Sequence, residues 1–116
     1  MEDALITLLS TLKYPVIRQG GLAQSQAYPD TFITFWNNDD SEHSAYDNQT
    51  ASAEVSFDVN VYSNSPANTY SVLKQARDLL KANGWIITTR AYDVASDEIT
   101  HTGRGFEVTY LQTQNL

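Results

Sequence analysis

Residues 53–62, Ala-Glu-Val-Ser-Phe-Asp-Val-Asn-Val-Tyr, alternate apolar and polar side chains without a break until Tyr62. A period of two is the signature of a strand with one buried face. Ala53, Val55, Phe57, Val59 and Val61 fall on one side and form a single core-facing row, rich in the β-branched and aromatic types that suit a pleated surface. Such a row must be covered, so the chain is confined to folds in which a sheet is backed by another layer.

The cover is supplied by two helical patterns. Leu5, Leu8, Leu9 and Leu12 recur at i, i+3, i+4 and i+7, which predicts an amphipathic helix over residues 2–12. Glu2 and Asp3 in its first turn and Lys13 near its end favour the helix dipole, and Pro15 stops it. The second helix is signalled by Ser65 as N-cap and Pro66 at the first helical position, and it runs to about residue 83. Val72, Leu73, Ala76, Leu79 and Leu80 form its apolar stripe, and Gly84 is suited to the position just past its end.

Further strands are predicted at residues 14–18, 31–36, 85–92 and 103–112, the last with Phe106, Val108 and Tyr110 on one face and Glu107 and Thr109 on the other. Residues 37–49 are almost devoid of apolar side chains and are expected to be a long exposed connection. At 116 residues the chain predicts one α+β domain spanning residues 1–116, with an antiparallel or mixed sheet of about five strands covered by two helices.

Charge is unevenly distributed. The net charge is −7, and between Gln19 and Leu73 there are seven carboxylates, Asp30, Asp39, Asp40, Glu42, Asp47, Glu54 and Asp58, with no Lys or Arg. A one-sign surface repels phosphates, which argues against wrapping nucleic acid with this segment. Lys74, Arg77 and Lys81, with Asp78 among them, recur at helical spacing on the polar face of the second helix. The absence of cysteine excludes disulfides, thiolate zinc sites and cysteine nucleophiles. Apolar runs are short and Met1-Glu2-Asp3 is acidic, so neither a signal peptide nor membrane spanning is expected.

Catalytic constellations fail on spacing. Asp39, Asp40, Glu42, His43 and Asp47 lack the central glycine and closing glutamate of a calcium loop, and are expected to be solvated. His43 and His101 are tied by no motif, and nothing resembles a serine nucleophile elbow. Gly103-Arg104-Gly105 has no following helix to bind a phosphate and is expected to bend or bulge the start of the last strand. Trp36, Trp85 and the tyrosines are not interleaved with a cluster of basic residues, which favours packing over base stacking. No enzyme activity, metal or cofactor is expected.

Taken as a pattern, the leucine helix before Tyr14-Pro15-Val16, then Pro29-Asp30-Thr31-Phe32-Ile33-Thr34-Phe35 running into the acidic stretch, Tyr46-Asp47-Asn48, Val59-Asn60-Val61-Tyr62-Ser63, Ser65-Pro66, Gly84-Trp85 and Thr102-Gly103-Arg104-Gly105-Phe106 carry a likeness to a known family. The chain resembles the tail-completion or head-tail joining (tail terminator-like) proteins of long-tailed bacteriophages. That resemblance implies a structural virion protein without catalytic residues, forming a ring, a hexamer, that ends the tail tube and docks it to the head connector. Its partners would be copies of itself, the tube protein and the connector protein; DNA would pass through without specific binding, and assembly would take place in the host cytoplasm. A ring needs one face to complement a different face of its neighbour. On that basis Asp39, Asp40 and Glu42 are expected to meet Lys74, Arg77 and Lys81 of the next subunit, and Asp30, Asp47 and Asp58 to face the lumen. The alternative is an acidic binding or inhibitor module that mimics nucleic acid and occupies a basic protein.

Overall fold

The sheet is built on the alternating strand. A computed structural model describes residues 2–18, 29–44, 50–96 and 100–115. In chain order these form α1 (Glu2–Ser10), β1 (Val16–Arg18), β2 (Thr31–Ser44), β3 (Thr50–Ser63), α2 (Pro66–Ala82), β4 (Ile86–Ile87), β5 (Tyr92–Val94) and β6 (Thr102–Asn115). The strands make one mixed six-stranded sheet in the order β1-β2-β3-β6-β4, with β5 also on β6. Only β1 and β2 run parallel; the other pairs are antiparallel. The expected α+β class with two helices therefore holds, with one strand more than expected.

Phe57, Val59 and Val61 of the odd row are fully buried, and Val55 packs at its margin. Ile33 and Phe35 from β2 and Phe106 and Val108 from β6 extend the row sideways, and Leu5, Leu9, Val72, Leu73, Ala76 and Leu80 close over it from α1 and α2. Both helices thus lie on one face of the sheet.

The helix ends differ in part from expectation. α1 stops at Ser10, and Lys13 lies beyond it with φ +69°, so Lys13 is not in the last turn and does not serve the dipole there. Ser65 occupies the N-cap of α2, but its side chain makes no capping bond; its amide instead donates to Ser63 Oγ at 3.1 Å. Gly84 ends α2 as predicted, with φ +86°, Gly84 N–H donating to Lys81 O and Trp85 N–H to Leu80 O. This pair of bonds satisfies the last carbonyls of the helix and needs a left-handed residue at its centre.

Three further expectations are corrected. Residues 37–44 are strand, not loop: β2 continues to Ser44 and pairs with β3 as far as Ser44↔Ala51, with a register shift between Asn37 and Asp39. Polar side chains do not forbid a strand, because the neighbouring backbone supplies the ladder; they only remove the period by which it is recognised. Residues 85–92 are not one strand, since β4 pairs with Val108 and Thr109 while β5 pairs with residues 103–105, and the chain detours between them. Finally, Gly103 and Gly105 are in regular register with Tyr62 and Asn60, with no bulge. Their hydrogen side chains leave room for the Tyr62 ring and the Asn60 amide.

Candidate functional site

The long strands give the molecule its shape, with principal extents of 54 × 28 × 23 Å. β1 covers β2 only from Ile33 to Phe35, so among the described residues no strand pairs with the outer side of β2 from Trp36 onward. Asp39, Asp40 and Glu42 all belong to this edge stretch. β4 forms the opposite edge of the sheet, flanked by the C-terminal half of α2.

The register puts the two edges at one level. Asp39 pairs with Ser56, Ser56 with Thr109, and Thr109 with Ile86. Three steps of about 4.8 Å put Asp39 roughly 14 Å from β4, with two strands between. Beyond Asp39 the acidic strand continues to Ser44, about 17 Å further along at about 3.3 Å per residue.

On α2, Lys74, Arg77 and Lys81 do not act alike. Lys74 Nζ donates to Asp78 Oδ2 at 2.7 Å, an exposed i,i+4 pair. That hydrogen bond, with the fields of Lys74, Lys81 and Arg77, holds the Asp78 carboxyl below its ordinary range. Arg77 and Lys81 instead line a cleft of about 600 Å³ beside β4, where they are joined by Arg90. Arg77 Nε is buried there without a hydrogen-bond partner. Ile86, half of whose surface is exposed, lies at the same cleft, and Trp85 forms its buried side. Arg90 stands out in no sequence pattern, being an isolated base; only the detour between β4 and β5 sets it at the cleft with Arg77 and Lys81.

The proposed lumen acids are not brought together. Asp30 is exposed at the start of β2 and accepts from Asn64 Nδ2 at 3.1 Å. Asp58 sits opposite Trp36, six residues along β2 from Asp30, or about 20 Å. Asp47 falls outside the described residues.

Asp58 is part of a polar network on the face of the sheet away from the helices. It is paired in register with Glu107, which sets two carboxylates side by side. Asn38 Nδ2 donates to both, at 3.0 and 2.9 Å, and Trp36 Nε1 donates to Asp58 at 3.1 Å. Thr88 Oγ1 donates to Glu107 Oε1 at 2.6 Å. These donors offset the repulsion of like charges on facing positions. Tyr92 closes the group, its hydroxyl 3.5 Å from Asp58 Oδ1.

Partial burial, then the Asp58 charge and hydrogen bond, then Glu107, push the Tyr92 phenol above its ordinary range. The protonated phenol is the form the folded state favours, so the unfolded chain loses this proton first as the pH rises through about 10, and stability falls with pH from there upward. Ultraviolet titration of the tyrosines is expected to show a late-ionising component, part of which Asp58→Asn moves back; an unchanged profile would remove Asp58 as a cause.

Other candidates resolve into structure. His101 is buried, with Nε2 2.8 Å from Pro29 O and Nδ1 3.0 Å from Thr100 Oγ1. Arg104 Nη1 bonds Asp93 at 2.6 Å, and the guanidinium lies 4.7 Å from the Tyr70 ring centroid. Trp85 is core, whereas Trp36 and Tyr70 are exposed. Among the described residues no group of three or more His, Asp or Glu is placed to hold a metal ion, and no helix is long and apolar enough to cross a membrane. No family model and no curated protein matches the chain.

Proposed function

We propose that this chain is a structural subunit of a long-tailed phage virion that closes into a ring, a hexamer, at the head-proximal end of the tail tube, ending the tube and joining it to the head connector. The observation that carries this reading is the placement of opposite charges on opposite edges of one sheet: Asp39, Asp40 and Glu42 on the β2 edge, beginning at the level of Ile86, and Arg77 and Lys81 at the cleft beside β4. A cyclic assembly uses such heterologous contacts, in which one edge meets the other edge of the next copy. Two acidic edges would repel, so a back-to-back dimer through β2 is disfavoured. The sequence pattern of the tail-completion proteins supplies the tube and the connector as partners. Of the acids outside the junction, Asp30 and Asp58, separated along the sheet as they are, would face the lumen on this reading, where like charge lets DNA slide past without sticking.

Negative-stain electron microscopy of the purified chain, alone and with phage tail tubes, tests this. Rings, or caps confined to one tube end, are the expected outcome. A monomer that ignores the tubes and instead binds basic proteins at low salt would replace this reading with the acidic binding module.

A further inference from the structure

Three cations, Arg77, Lys81 and Arg90, line the cleft beside β4, and among the described residues no carboxylate lines it with them. Lys81 and Arg90 are exposed and Arg77 is half-buried; like charges gathered at one cleft repel one another, and the buried Arg77 Nε–H without an acceptor carries a desolvation cost. Both penalties are relieved by an anion, and a planar guanidinium is suited to a carboxylate, which it can grip with two parallel bonds. Lys74 is different: Asp78 already holds it, one turn back along α2 and outside the cleft lining.

The chain itself carries a matching anion. Asp39, Asp40 and Glu42 fall within four consecutive residues of an edge strand, which starts level with Ile86 at Asp39 and runs on past the end of β4. Their own cleft is out of reach, because β3 and β6 stand between β2 and β4 in the sheet. A neighbour presenting its β2 edge at the same level meets no such obstacle.

We infer that the cleft between α2 and β4 is the docking site for the Asp39, Asp40 and Glu42 carboxylates of a second copy of this chain, with Arg77, Lys81 and Arg90 as the receiving cations and Lys74 outside the contact. Arg90 is thereby an interface residue, and exposed Ile86 is covered in the assembly. This rests on the reading of the chain as a ring subunit, and it narrows the cationic half of the junction to one cleft.

Analytical ultracentrifugation of the full chain tests it, at low and at high salt. Self-association is expected to weaken as salt shortens the screening length from about 10 Å at about 0.1 M to about 3 Å at about 1 M. The pair Arg77→Glu, Arg90→Glu and the pair Asp39→Lys, Asp40→Lys should each weaken association at least about tenfold, while Lys74→Glu leaves it unchanged. A chain carrying all four reversals should associate nearly as the parent does, a recovery that misfolding of either pair would not give. If the parent associates and the Arg77→Glu, Arg90→Glu pair associates equally well, the cleft is not the docking site and the ring reading stands. Should the parent remain monomeric at every concentration and form no ring on tail tubes, both fail together.

Discussion

Replacing Phe57 with alanine is expected to destabilise the domain by about 3–5 kcal/mol, the range for a buried phenylalanine whose cavity cannot collapse. Phe57 is fully buried at the centre of the odd row of β3. Its ring meets Phe35 edge-on at 6.4 Å and Trp85 at 6.1 Å, and Val108 is its partner across the ladder to β6. Each neighbour is fixed by a different element, so no single side chain can move in to fill the space. Against a total stability of about 5–15 kcal/mol for a domain of ordinary stability, the loss is a large fraction of the whole. Urea denaturation should show a lower midpoint with an unchanged slope. The conservative change Phe57→Leu should recover most of the loss, because it keeps most of the volume. A cost under about 1 kcal/mol for Phe57→Ala would mean that the core there is loosely packed.

That residue also shows why the core was legible in the sequence. A strand with one buried face has to repeat every second residue, and from Val55 to Val61 nothing interrupts the repeat. The stripe on α2 was legible for the same reason, with Thr69 as the buried position that an apolar count passes over. Residues 37–44 fail this test although, apart from the register shift between Asn37 and Asp39, they are paired with β3 throughout. Where both faces of a strand are polar, no period of burial is written into the side chains, and the ladder is fixed by what lies next to it.

The candidate interface was legible in its charges and not in its geometry. Runs of acids, and bases at helical spacing, can be counted along a chain, and that count is what brings Asp39, Asp40, Glu42, Arg77 and Lys81 into the proposal. Whether a base is already held by a neighbour depends on rotamers and spacing together: Lys74 lies i,i+4 from Asp78 and is paired, while Arg77, one turn further on, is turned toward the cleft. Long-range register is harder still. Asp58 and Glu107 are 49 positions apart and become facing carboxylates only because β3 and β6 pair in one particular register, and Arg90 joins Arg77 only through the break between β4 and β5.

Gly103→Ala is expected to cost about 1–3 kcal/mol through overpacking. A Cβ at this position would stand 2.7 and 2.8 Å from two carbons of the Tyr62 ring and 2.8 Å from Val94 Cγ2. The ring cannot retreat freely, since it is buried and stacked on Phe32 at 5.2 Å with the planes 23° apart. Val94 cannot retreat alone either, because it is the ladder partner of Gly103 in the three-residue strand β5. The strain should therefore be released by loosening β5, seen as faster hydrogen exchange at its amides, together with a lower unfolding midpoint. Gly84→Ala is the informative contrast. Nothing lies within 4 Å of a Cβ there, but φ is +86°, so its cost of about 1 kcal/mol is one of backbone conformation and no neighbouring truncation relieves it. For Gly103 the steric origin predicts coupling: in a Tyr62→Ala background, where the ring is gone, the added methyl should cost much less than in the parent. An equal cost in both backgrounds would move the cause from the Tyr62 ring to β5 itself.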